Sequence, residues 1–466
     1  MNQQVKKWIT FVIRWGIAAA GIAIVLAKTP FHDQLLLLSA DNELVHVSVL
    51  NDPPEDASQF TIYNPATHAT QTIAREDVWT QPDNPRVRIR RGSEAHAFKL
   101  LAIRPGAHHE VNAPPAELLV RDPHTDKPIR VAPSEVPGGY YVRVPYPLVD
   151  IGVVRLVKQA RLGYLLLALA VLPFSYFVTS RRWHMLLEAM DIHISQGRSF
   201  VLNMVGCFYN SFMPGSTGGD VIKAYYASKH TPHKVRAILS VLVDRIVGLL
   251  ALIVLGGALA AGQWQIKECR QVAITCAGLI GATLVGLVVF YNSAWRKATG
   301  LDWLMKRLPM QRHIQHAIEA MELYGKRPAV PIWAGIMTFP VHLTTILSAI
   351  FAGMAFGLSM HTLYYFTVVP VLVLVSAIPL SPQGAGVMEL FAVQLTKNQG
   401  VTVSQAIALA MAVRFGQMFW NLVAGLFVLR GGYHAPSQQE QQDLETDDAE
   451  PPAAQIPVTA DDPQAA

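Results

Sequence analysis

Two acids in this chain are each followed, at the same interval, by an arginine inside an apolar stretch. Asp220 leads Arg245, and Glu389 leads Arg414. A charge in hydrocarbon costs about 2.5–3.5 kcal/mol even on the gentler insertion scale, so such groups face a protein interior and find partners. Two chemistries are open to them. The arginines pair with the acids as structural salt bridges, or they hold an anionic head group directly. Each acid also follows a Pro/Gly-rich break. Pro214-Gly215-Ser216-Thr217-Gly218-Gly219 precedes Asp220, and Pro379-Leu380-Ser381-Pro382-Gln383-Gly384-Ala385-Gly386 lies just before Glu389. A break at membrane depth exposes backbone polar groups, tolerable only when they are buried in protein or line a wet cavity. Glycine lets a ligand approach the backbone closely. A helix that restarts at the break points its positive end into the cavity. Asp220 and Glu389 stand at those restarts, where plain capping of free N–H groups is the competing role.

Further polar residues gather around these four. Asn210 precedes the first break and Ser381 lies in the second, each placed to tie the broken backbone. Lys223, one turn past Asp220, suits a phosphate, or an ordinary lysine at the cytoplasmic interface. Asp244 is placed to offset Arg245 locally. Arg414, Gln417 and Asn421 fall at helical spacing on one inward stripe. The candidate binding set is therefore Asn210, Pro214, Gly215, Gly218, Gly219, Asp220, Lys223, Asp244, Arg245, Ser381, Gly384, Gly386, Glu389, Arg414, Gln417 and Asn421. Gly256, in a plain apolar helix, is expected to tolerate alanine. His342 reads as a packed or hydrogen-bonded histidine.

The elements that position these residues are membrane helices. Apolar residues make up 51% of the chain and charged residues 15%, against roughly a quarter charged in soluble domains. Mean hydropathy is +0.28. A crossing takes about 20 residues, and runs of that kind occur at 8–27, 163–180, 237–261, 272–291, 331–357 and 404–429. Two apolar stretches, 200–213 and 364–380, end in the breaks and read as broken or re-entrant helices. Lys and Arg favour the cytoplasmic side of short loops. Lys6, Lys7 and Arg14, then Arg181 and Arg182, then the basic 292–328 loop put those ends inside. Arg155, Lys158 and Arg161 conflict with that assignment, in a long loop where the rule is weak. Three crossings separate Asp220 from Glu389, so the two copies enter from opposite faces. Interrupted, duplicated, charged hydrophobic segments are the mark of a transporter-like inverted repeat. Chance likeness between apolar, Gly-rich helices is the alternative.

Residues 31–155 read as a separate extracytoplasmic β-rich domain, a small sandwich or barrel. Leu44–Val49, Val87–Arg90 and Tyr140–Val144 alternate as strands do. Its histidines (His96, His108, His109, His124) read as surface residues, since neighbours on a strand point to opposite faces. Cys207, Cys269 and Cys276 suggest no disulfide or metal site, and no cofactor or nucleotide loop is apparent. A net charge of +5 and a pI near 9.0 fit helix ends facing anionic lipid rather than nucleic acid. The first helix, at 1–30, is expected to stay as an anchor, although Val25-Leu26-Ala27 has the look of a signal cleavage site. The acidic tail at 433–466 is expected to be disordered cytoplasm. The transmembrane core spans 156–432, with repeat halves at about 160–261 and 329–430.

The stretch from Asn210 to Ala224 resembles the hallmark of the lysylphosphatidylglycerol synthase transmembrane, flippase-like family. Asp244-Arg245-Ile246-Val247-Gly248 and Ile378 to Glu389 look like its later motifs, and Arg181-Arg182-Trp183 resembles its basic-aromatic step. The likeness covers roughly 160–432. The resemblance implies an inner-membrane protein that handles lipids or lipid-linked substrates, with translocation as the expected activity. It does not imply aminoacyl-lipid synthesis, because in the full synthases a large soluble domain follows and here a short acidic tail does. The 31–155 insertion departs from the compact family pattern. Three readings result: a translocator of anionic or phosphate-bearing lipids; a polyprenol-dependent glycosyltransferase or its accessory subunit, with acids near Asp33, Asp41 and Asp150; and a membrane scaffold acting through the β domain.

Overall fold

The computed structural model describes residues 29–434 except 40, 51–52, 54–56, 65–68, 83–85, 92–93, 107–111, 124, 143–146, 213–217, 292, 300–322 and 378–381, together with Ala23 and Ala27. The 8–27 crossing apart from Ala23 and Ala27, Pro214, Gly215, Ser381, His108, His109, His124 and nearly all of the tail thus lie outside the described residues.

Among the described residues nine strands come first: β1 Gln34–Leu38, β2 Leu44–Val49, β3 Gln59–Asn64, β4 Ala69–Ala74, β5 Arg86–Arg91, β6 Glu94–Arg104, β7 Glu117–Arg121, β8 Pro128–Val131 and β9 Val149–Asp150. They form two antiparallel sheets, ordered β4-β3-β2-β1-β9 and β5-β6-β7-β8. Period-two patterning drives them: Val87 and Ile89 are buried while Arg86, Arg88 and Arg90 are exposed. Each sheet has its own apolar cluster, around Phe60 and Ile62 in the first and Phe98 and Leu118 in the second. Leu36, Trp79, Ala102 and Leu119 join the two. One expected strand fails: Tyr140–Val142 carry no strand. They fold back instead, Val142 exchanging backbone bonds with Asn112 and Ala113 while Tyr140 and Val142 pack on the second sheet's core.

The helices follow: α1 Val153–Gln159, α2 Leu162–Val171, α3 Pro173–Ala189, α4 Gln196–Phe212, α5 Gly218–Ser228, α6 Lys234–Ala261, α7 Lys267–Tyr291, α8 Ser293–Ala298, α9 Ala329–Ala355, α10 Thr362–Ala377, α11 Val387–Thr396, α12 Val403–Val423 and α13 Gly425–Gly431. Among the described residues five helical spans are long and apolar enough to cross a membrane: Leu162–Ala189, Lys234–Ala261, Lys267–Val289, Ala329–Ala355 and Val403–Gly431. Their outer faces are apolar, as with Ile274, Leu284, Val285 and Val288 on α7, which suits hydrocarbon and not water. The span expected at 272–291 starts earlier, at Lys267, because α7 extends back past its apolar run.

The two interrupted stretches are helical hairpins. Asn203 meets Lys223, and Asn210 meets the Gly219 N–H, so α4 and α5 run antiparallel. A Cβ on Gly219 would collide with the carbonyl of Gly206, so glycine is required where these helices touch. The Tyr364 hydroxyl donates to the Leu395 carbonyl at 2.7 Å, and Gly384 abuts Ser376, so α10 and α11 are antiparallel too. Gly384 and Gly386 have φ of 71° and 82°, a region costly for residues with a side chain. The same order — long helix, hairpin, long helix — thus occurs on both sides of α7.

The β region is seated on the helices. Gly152 N–H donates to Asp33 Oδ1 at 2.8 Å, and Arg155 of α1 pairs with the same carboxylate.

Candidate functional site

Both acid–arginine pairs form. Arg245 Nε lies 2.5 Å from Asp220 Oδ2, and Arg414 Nη2 lies 2.6 Å from Glu389 Oε1. In each case a hairpin's returning helix supplies the acid and the next long helix supplies the arginine. Glu389 also caps its helix, Oε2 accepting from the Gly386 N–H at 2.8 Å. Capping and pairing therefore coexist in one carboxylate.

The hairpin ends meet. Gln383 Nε2 donates to Ser211 Oγ at 3.2 Å, joining the second break to the end of α4. Gln383 holds a left-handed φ of 49°, an uncommon conformation for a residue with a side chain. Beside this junction lies a cavity of about 320 Å³ between α3, α4, α5, α6, α9, α10 and α12. Its charged lining is Arg182, Asp220, Lys223, Asp244 and Arg245, with Asn203, Asn210, His342, Gln383, Gln417 and Asn421 as polar companions.

The ion pairing inside the cavity differs from expectation in one respect. Asp244 makes its ion pairs with Arg182 and Lys223 rather than with its neighbour Arg245. It accepts from Arg182 Nε at 2.8 Å and stands 3.7 Å from Lys223 Nζ. Consecutive helical residues point about 100° apart, so Asp244 faces α3 and α5 while Arg245 faces Asp220. Lys223 is no interface lysine. It is 5% exposed, it donates to Asn203 Oδ1 at 3.1 Å, and its ammonium sits 4.3 Å from the Trp183 ring centroid. Arg182 also donates to Thr338 Oγ1 at 2.8 Å. Asn203 Nδ2 is buried with no hydrogen-bond acceptor among the described residues. His342 Nε2 lies 3.3 Å from the Gly248 carbonyl, as a hydrogen-bonded histidine should.

The four pair-forming residues do not share one lining. Asp220 and Arg245 border the central cavity, as do Asn210, Lys223, Asp244, Gln417 and Asn421. Glu389 instead borders a separate, largely apolar recess with Leu390, Phe391 and Ile407, and Arg414 turns toward it. The expected polar stripe on α12 therefore divides: Gln417 and Asn421 face the cavity, Arg414 the second hairpin. Gly218 and Gly219 open α5, and Gly384 and Gly386 shape the second break without joining the cavity wall. Residue-by-residue reading missed Arg182, Asn203, Ser211 and Gln383 as site residues. A polar Asn203 in an apolar run was a signal. So was Arg181-Arg182, two adjacent cations that cannot both face one way from a helix.

The arrangement defines an integral membrane protein with paired intramembrane ion pairs and a charged central cavity. Its chain belongs to the lysylphosphatidylglycerol synthase transmembrane-region family, whose profile matches residues 151–425, more than half its length. It is also similar to a UPF0104 membrane protein of Methanothermobacter thermautotrophicus (strain Delta H), 22% identical over 290 residues that cover 57% of this chain and 84% of that one.

Proposed function

We propose that this protein translocates a lipid, or a lipid-linked substrate, and that its central cavity holds an anionic head group. One observation carries the reading. The cavity gathers three buried or half-buried cations, Arg182, Lys223 and Arg245, against two carboxylates, Asp220 and Asp244. Among the described lining residues the cations outnumber the carboxylates by one, in a setting where unbalanced charge is costly. A phosphate-bearing head group would neutralise the excess, with Asn203 Nδ2, which has no acceptor among the described residues, as a further donor. The acyl chains would remain among the apolar outer faces of the bundle.

The two hairpins support a transport role. On this reading they enter the membrane from opposite faces as halves of an inverted repeat, with touching tips near the midplane. The protein lies in the cell membrane with both termini cytoplasmic, the β region outside, and no catalysis of its own. The glycosyltransferase reading needs free acids outside the membrane. Asp33, one of its candidates, is instead taken up by Arg155 and the Gly152 N–H.

The test is reconstitution into vesicles with head-group-labelled anionic lipid. Wild type should speed leaflet exchange, and the charge-balanced variant Arg245→Gln/Asp220→Asn, which keeps folded yield, should lose most of that gain. Equal exchange by both, or none by wild type with any anionic lipid, rejects the proposal.

A further inference from the structure

The second sheet carries a surface that neither the cavity nor the translocation reading uses. Its edge strand β5 alternates strictly: Val87 and Ile89 go into the core, and Arg86, Arg88 and Arg90 are exposed on the opposite face. Alternate residues of a strand stand about 6.6–6.8 Å apart, so these guanidinium groups rise from one line at that repeat. A second basic row crosses the first. Arg86 is in register with Lys99 of β6, and Lys99 with Arg121 of β7. Like charges directly opposite each other on a sheet are destabilising. Between the cations are small residues: Ala97 lies opposite Arg88 and Ala95 opposite Arg90, so nothing bulky shields the row. Arg121 is partly offset by Asp126, at 3.4 Å. The side chains of Arg88, Arg90 and Lys99 have no hydrogen-bond or ion-pair partner among the described residues.

We infer that this basic face binds a linear polyanion, a soluble polymer carrying an oxyanion on each repeating unit, laid along β5. Arginine is suited to this, since its planar fork takes phosphate or carboxylate bidentately. A repeating chain with a charge on each unit engages several guanidinium groups in turn, gaining from multivalency what no single exposed pair supplies. The placement of the β region outside the membrane belongs to the functional proposal above. The binding face itself does not depend on it, and binding in detergent is measured without reference to sidedness. The plainer role for charges on an edge strand is to prevent edge-to-edge pairing. That role needs no ligand, and the experiment separates the two.

Full-length protein in detergent would be titrated with two fluorescent polymers, long-chain polyphosphate and polygalacturonate. The first reads phosphate and the second carboxylate preference. Wild type should bind at least one, with affinity falling steeply as salt rises. The double variant Arg88→Gln/Arg90→Gln should bind about tenfold more weakly and with a shallower salt dependence. Lys99→Gln should show a smaller loss. The charge-matched control Lys267→Gln/Arg270→Gln, at the start of α7, should bind as wild type does. The inference is overturned by failure of wild type to bind either polymer at low salt. Equal weakening in the control overturns it too.

Discussion

At the scale of single residues, the cavity is held by charges that cannot be removed one at a time. Asp244 serves Arg182 and Lys223 together. Breaking a buried pair by removing one partner costs about 3–5 kcal/mol, chiefly for the charge left behind. Asp244→Asn should therefore lower folded yield and thermal midpoint more than Asn421→Ala, at the cavity's half-buried rim, checked by fluorescence-detected gel filtration. Arg245 and Asp220 permit a sharper test, because the pair is less buried. If the pair is only structural, Arg245→Gln/Asp220→Asn should recover both yield and lipid exchange relative to Arg245→Gln. If Arg245 meets the head group, the double variant recovers yield alone, which is the outcome expected here. Glycine behaves differently at different places. Gly219→Val should abolish folding of the first hairpin, since even a Cβ there meets the Gly206 carbonyl. Gly256 proves a poor control, because a Cβ on it would lie 3.0 Å from Pro370 Cβ. Gly278, with nothing within 4 Å, should accept alanine without loss. The pairs were legible in the sequence because acid and arginine keep one interval in both copies. The partner of Asp244 was not, because it depends on how α3 packs against α6, which no local pattern states.

Elements decide which of those charges meet. Each hairpin brings a helix start to the bundle interior, and the Gln383–Ser211 contact couples the two. In a background lacking Cys207, Cys269 and Cys276, Ser211→Cys/Gln383→Cys should form a disulfide on mild oxidation. That bond should arrest lipid exchange, and reduction should restore it; undiminished exchange in the crosslinked protein would remove the tips from the transport path. A second junction joins the β region to α12, the helix that carries Arg414. Burial pushes the Asp150 carboxyl up to about 6, with Asp33 adding to the rise, while the hydroxyls of Thr402 and Ser404 oppose it. The folded state thus holds this proton more tightly than the unfolded chain. Its stabilising contribution is complete below about pH 3.8 and is lost as pH rises to about 6. Asp150→Asn should flatten that part of the pH profile of thermal stability; an unchanged profile would assign it to other groups. The breaks were readable as hairpins from Gly and Pro clusters within apolar runs. Tyr140–Val142 misled because alternation marks a strand only where a neighbour is free to pair, and there the second sheet's core takes the side chains instead.

For the whole molecule, the side on which each loop lies follows from parity, and parity follows from whether the hairpins cross. Three long apolar helices, α6, α7 and α9, lie between Asp220 and Glu389 among the described residues. If neither hairpin crosses, α3 ends inside, α4 and α5 return inside, α6 leads out, α7 leads in and α9 leads out. Then α10 and α11 return outside, and α12 leads in. The basic loops agree: Arg181 is exposed at the inner end, and the 262–266 turn carries no charged residue. Of the three cations that conflict, Arg155, Lys158 and Arg161, Arg155 is offset by its ion pair with Asp33, while Lys158 and Arg161 are exposed. Reporter fusions after Arg182, after Asn292 and at the C-terminus should therefore read cytoplasm, and fusions within 31–155 should read outside. That test alone does not show that the hairpins are re-entrant, so cysteine labelling is the deciding experiment. In the cysteine-free background, His193→Cys precedes α4 and Thr231→Cys follows α5; both should react with an impermeant maleimide only from the cytoplasmic side. His361→Cys and Gln399→Cys bracket the second hairpin and should react only from outside. Should His193→Cys and Thr231→Cys label from opposite sides, the first hairpin crosses. The copies would then no longer enter from opposite faces, and the inverted-repeat account of the cavity would fall with them.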